Sequence, residues 1–129
     1  MSLSLEIRCP AQARFLAPVR HALDGLLRAL AFDRRFCEDV TTAVGEALAN
    51  IVEHAYCEQT EESERFLELR AGLDRERLEV EVADCGSFVT RVPLPGRGFG
   101  LRIMRAIATE LDIDTTNGTR LHMIFTAES

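Results

Sequence analysis

The chain has 129 residues, is 47% hydrophobic and carries a net charge of −6, enough apolar material for one core but not two. Its 15 basic residues are all arginine, which excludes a Walker A loop or a eukaryotic-type kinase site, each needing a lysine, and the acidic balance argues against nonspecific nucleic-acid binding. No stretch approaches the roughly 20 apolar residues of a membrane span, and the start MSLSLEIRC lacks the basic and apolar regions of a secretory signal, so a cytoplasmic location is expected.

Leu3, Leu5 and Ile7 alternate with polar residues as in a first strand, which Pro10 closes. A helix is predicted from about Phe15 to Ala31, with Pro18 tolerable only near its first turn and Val19, Leu23, Leu26, Leu27 and Leu30 on the apolar side. Asp33 reads as the N-cap of a second helix ending near Tyr56. The acidic stretch from Cys57 to Glu64 reads as a solvated connection or a partner surface. Two strands follow, Phe66 to Leu73 and Leu78 to Ala83, as a hairpin around Asp74-Arg75-Glu76. A third helix is predicted from Leu101 to Leu111, then a second hairpin from Ile113 to Thr115 and Leu121 to Phe125 around Asn117-Gly118. The order β-α-α-β-β-α-β-β predicts an α+β sandwich, one domain over residues 1–129, with helices on one face of a mixed, mostly antiparallel sheet.

Three patches carry chemistry. Glu46, Asn50 and His54 fall at i, i+4 and i+8, so they stack on one stripe of the second helix, while Val44, Leu48, Ile51, Val52 and Ala55 form its apolar face. A carboxylate one turn from a carboxamide suits a proton acceptor beside a hard ligand for Mg²⁺. By itself, such a stripe is only suggestive and reads first as a solvated helix face, since exposed faces are mostly polar. Residues 82–88, VADCGSF, read as a strand delivering Asp84, with Gly86 in the turn after it. Residues 96–104, GRGFGLRIM, run a glycine-rich turn into a helix, so Gly96, Gly98 and Gly100 allow close backbone approach and the helix start favours a phosphate. Arg97 and Arg102 flank that turn and are candidate phosphate contacts or solvated arginines. Taken together and in this order, the patches are an inventory for ATP.

On these residues the chain resembles the GHKL ATPases, the histidine-kinase-like family, and within it the bacterial anti-sigma-factor serine kinases. The family's N box falls on Glu46, Asn50, His54, Ala55 and Tyr56, its first glycine box on Asp84, Gly86 and Phe88, and its second on Gly96, Gly98, Gly100 and Leu101. The resemblance spans roughly residues 14–126 and names the fold as the Bergerat-type ATP-binding sandwich. It implies that Glu46 is the catalytic base, Asn50 holds Mg²⁺, Asp84 reads the adenine amine, and the segment from Gly96 and Arg97 through Gly98 and Gly100 to Leu101 holds the phosphates of ATP. It also implies a sigma factor and an anti-anti-sigma protein as partners, with a homodimer expected by analogy.

The chain departs from the family pattern at Ser87, where a glycine usually stands, at Val89, and in the short lid from Val89 to Arg97, which holds Pro93 and Pro95. Two functions follow. The first is a protein serine/threonine kinase of the partner-switching type; the alternative is a noncatalytic ATP- or ADP-binding interaction module of the same fold. Cys9, Cys37, Cys57 and Cys85 show no metal-ligand spacing and read as buried thiols. His21 and His122 read as structural or surface residues.

Overall fold

A computed structural model describes residues 2–54, 65–84, 99–114 and 118–127, apart from the side chains of His54 and Phe99. Chain order is β1 (Ser2–Pro10), a 3-10 turn (Ala13–Phe15), α1 (Leu16–Ala29), α2 (Arg34–His54), β2 (Phe66–Asp74), β3 (Arg77–Asp84), α3 (Phe99–Ile107), β4 (Glu110–Asp114) and β5 (Arg120–Thr126). The strands form one sheet in the order β1-β2-β3-β5-β4. The α+β architecture expected from the sequence is present. Every pairing among the described strands is antiparallel, so the mixed component of that expectation has no counterpart there.

Alternation in the strands decides which face each residue takes. Leu67, Leu69, Leu78, Val80, Val82, Leu121 and Met123 point to one side and are fully buried. They pack with Val19, Leu23 and Leu27 of α1, Val40, Val44, Leu48 and Ile51 of α2, and Leu101 and Met104 of α3 in a single cluster. Each such side chain contributes about 1.5 to 3 kcal/mol of burial. The opposite sheet face carries Glu6, Arg70, Glu81, His122 and Asp112 as successive cross-strand neighbours. Charge alternates along much of that row, with Arg70 Nε 3.5 Å from Glu6 Oε1, as suits an antiparallel sheet with one solvated face.

Local chemistry sets the helix ends. Asp33 Oδ1 accepts a hydrogen bond from the Phe36 amide at 2.8 Å, the N-cap read from the sequence. At the end of α1, Ala31 adopts φ 66°, its amide donates to the Arg28 carbonyl at 3.0 Å, and the Phe32 amide reaches back to the Leu27 carbonyl at 3.2 Å. That is a Schellman ending with alanine where glycine fits best. Ala31→Gly should therefore raise stability by about 0.5 to 1 kcal/mol, since relief of the left-handed strain exceeds the entropy glycine adds to the unfolded chain. A higher midpoint in urea unfolding would show it.

The third helix stops at Ile107 rather than Leu111. Leu111 fits a helical spacing after Leu101, Met104 and Ile107, yet it also alternates with Asp112 and Ile113, and it pairs with Met123 in the sheet. Pairing with β5 prevails over the helical reading, so the last hairpin is β4 to β5 with longer strands than the sequence predicted. Gly118, at φ 94°, supplies the left-handed residue after Asn117.

Candidate functional site

α2 lies between α1 and α3 in the helical layer and turns one face wholly to the core. Cys37, Val40, Ala43, Val44, Ala47, Leu48 and Ile51 are all fully buried. Glu46 and Asn50 are half-buried on the remaining side. They face the first turn of α3: a Cβ built on Gly100 would stand 3.3 Å from Glu46 Oε1 and 3.7 Å from Asn50 Nδ2. At Glu46 and Asn50 the stripe thus faces another helix as well as solvent. It places a carboxylate and a carboxamide against the helix that follows the glycine-rich segment of the sequence, where backbone amides at the helix start favour anions.

On its other side Glu46 borders an open groove of about 380 Å³ between α1 and α2, lined by Arg20, Asp24, Arg28 and Thr42 among others. Arg28 Nε is 2.8 Å from Asp24 Oδ2, an i,i+4 pair. Arg20 lies across α2 at Gly45, where its Cδ is 2.8 Å from the position a Cβ would take. The groove therefore runs up to the candidate base along a wall of mixed charge, Arg20 and the Arg28–Asp24 pair.

Asp84 ends β3 and is held by the strand beside it. Its Oδ2 accepts a hydrogen bond from the Thr119 amide at 2.6 Å, and its own amide donates to the Thr119 carbonyl at 3.1 Å. These two contacts hold the carboxylate in place. Thr119 is itself a buried polar residue, 2% exposed, and the sequence offered no signal for its role. It stands 35 positions away from Asp84, and only strand pairing brings the two together.

Gly86, Gly96, Arg97 and Gly98, with Phe88, Ser87 and the lid from Val89 to Arg97, lie outside the described residues, as do Ala55, Tyr56 and the His54 side chain. Leu101 packs in the core at 7% exposure, so what it can offer a ligand is its backbone amide. Arg102 is exposed on α3. Cys37 is buried, its Sγ donates to the Phe32 carbonyl at 3.7 Å, and burial pushes its thiol pKa up, which suits packing rather than chemistry. Among the described residues no group of three or more His, Cys, Asp or Glu gathers as a metal site. No helix among the described residues is long and apolar enough to cross a membrane.

The structure thus sets a helical layer over an antiparallel sheet, with a polar pair on the central helix facing the helix that follows the glycine-rich segment. The chain belongs to the histidine kinase-like ATPase domain family, whose profile matches residues 9–125. It is 28% identical over 135 residues to the serine-protein kinase RsbW of Bacillus velezensis, covering 92% of this chain and 82% of that one. It is 29% identical, with the same coverage, to the RsbW of Bacillus cereus. Among solved structures it resembles the RsbU and RsbW domains of a Mycobacterium tuberculosis protein, with TM-score 0.73, 22% identity and 97% of this chain matched to 32% of that longer one. It also resembles the SiaB-SiaC complex of Pseudomonas aeruginosa, with TM-score 0.73, 16% identity, and 94% and 88% of the two chains covered. These two likenesses concern the fold.

Proposed function

We propose that the chain is an ATP- and Mg²⁺-dependent serine kinase of the partner-switching type, which holds a sigma factor and phosphorylates a serine on a small anti-anti-sigma protein. The observation that carries this reading is the convergence of Glu46 and Asn50 on Gly100, in a family whose members similar to this chain include the RsbW serine-protein kinases. The donor set fits the nucleotide. Asn50 offers a hard amide oxygen for Mg²⁺, the start of α3 offers amides for phosphate, and Asp84 offers an oriented carboxylate for an exocyclic amine. Bound Mg·ATP supplies the γ-phosphoryl group and the charge neutralisation around it.

Glu46 then accepts the serine proton as the serine oxygen bonds to phosphorus and the bridge to the β-phosphate breaks, leaving phosphoserine and ADP. In this reading a protein substrate would approach the base along the groove that borders Glu46. Added phosphate would weaken the complex by placing negative charge against a chain of net charge −6.

The test is to mix the purified chain with the candidate antagonist encoded beside it, supply labelled ATP and Mg²⁺, and follow phosphate and complex together. Phosphoserine on the antagonist and its release support the kinase. A stable complex with no phosphoserine supports the noncatalytic module, a reading kept in play by Ser87 and the short lid. Neither binding nor transfer removes partner switching for that pair.

Base recognition has its own check. Asp84→Asn keeps an oxygen for the Thr119 amide but places an amide donor where adenine also donates. ATP and ADP affinity should both fall, by about 10-fold or more, because a buried donor left without an acceptor costs roughly 1 to 3 kcal/mol. Calorimetry showing unchanged affinity would remove Asp84 from that role.

A further inference from the structure

Gly100 belongs to a glycine-rich run that reads as backbone freedom or as room for a ligand. Its surroundings give it a different reason to be glycine. It lies within α3, and among the described glycines only Gly118 has a positive φ, so backbone freedom is not what this position requires. The space where its side chain would stand is already lined by protein: Glu46 Oε1 at 3.3 Å, Glu46 Cβ at 3.6 Å and Asn50 Nδ2 at 3.7 Å. Gly25 and Gly72, by comparison, have nothing within 4 Å.

We infer that Gly100 is a positioning residue for Glu46 and Asn50: the missing side chain lets α3 seat against the polar stripe of α2, and that contact sets where the carboxylate and the carboxamide point. The inference rests on the reading of Asn50 as the magnesium ligand. A methyl group at Gly100 would meet the Glu46 oxygen below ordinary van der Waals separation. The oxygen is the far end of a flexible side chain, so the protein accommodates the change by moving Glu46 rather than by unfolding, and Asn50, itself at ordinary contact distance but one turn along the same stripe, shifts as the displaced carboxylate crowds it. Alanine is also the better helix former. Crowding at this position should therefore disturb function while sparing stability, which is not how a packing glycine behaves.

The experiment is a double-mutant cycle of Gly100→Ala with Asn50→Ala, read by Mg·ATP affinity, alongside thermal melting and the side-chain amide NMR signals of Asn50 in nucleotide-free protein. Gly100→Ala should leave Tm unchanged or higher, shift the Asn50 amide signals, and weaken Mg·ATP by about tenfold, the scale for groups that orient a metal ligand. In the Asn50→Ala background the same change should cost less than about twofold, since its effect acts through the residue already removed. Equal losses in both backgrounds would mean that Gly100 serves the phosphates directly, and unmoved Asn50 signals would likewise overturn the inference. If the wild-type chain binds no Mg·ATP, the nucleotide reading falls, and the Asn50 signals alone decide whether Gly100 positions the stripe.

Discussion

Glu46→Gln is expected to slow phosphoryl transfer to serine by about 10²-fold or more, the usual scale for a positioned general base, while Mg·ATP affinity stays close to that of the wild type. Glutamine keeps the shape that faces Gly100 and loses the ability to take a proton. Asn50→Ala should differ in kind. It removes a hard oxygen ligand, so its principal loss is Mg²⁺-dependent ATP affinity, with Mg²⁺-free binding much less affected. Calorimetry with and without Mg²⁺, followed by single-turnover transfer, separates the two. Equal loss of binding in both variants would mean that the stripe on α2 is structural and that the division of roles is wrong.

Leu48→Ala should destabilise the fold far more than any substitution at the candidate site. Leu48 is fully buried on α2, in the cluster that joins all three helices to the sheet. Truncating a leucine at such a site costs about 2 to 5 kcal/mol, the transfer term plus the cavity left behind. Urea unfolding should show it as a lower midpoint with little change in slope. The folded fraction should still bind nucleotide, because Leu48 does not share a face with Glu46 and Asn50. Glu46→Gln should show the converse, near-normal unfolding with failed transfer. Together the two variants separate the core face of α2 from the face proposed for chemistry.

Much of this molecule was legible in the sequence because its signals are local. The first strand read from Leu3, Leu5 and Ile7, the Asp33 cap and the turn at Asp74-Arg75-Glu76 each depend on neighbours a few positions away, and each is present in the fold, with Leu3 exposed at the strand's start. The i, i+4 spacing of Glu46 and Asn50 likewise guaranteed a shared face on any helix. Helical spacing at Leu111 misled, because one apolar residue satisfies a period of 3.6 and a period of 2 equally well. Only the partner strand, bringing Met123 opposite, decided between them.

The sequence by itself determined the class of fold and supplied the polar stripe, the strand-end carboxylate and the glycine-rich turn. It did not determine what those groups touch. Whether the stripe faced water or another helix depended on the packing of α3 against α2, two elements whose facing residues, Glu46 and Gly100, are far apart in the chain. The clasp on Asp84 likewise exists only because β5 pairs beside β3 and delivers the Thr119 amide. Local sequence sets periodicity and capping through short-range sterics and hydrogen bonds, whereas burial of a shared apolar core chooses which faces meet. The candidate site is assembled at those meetings.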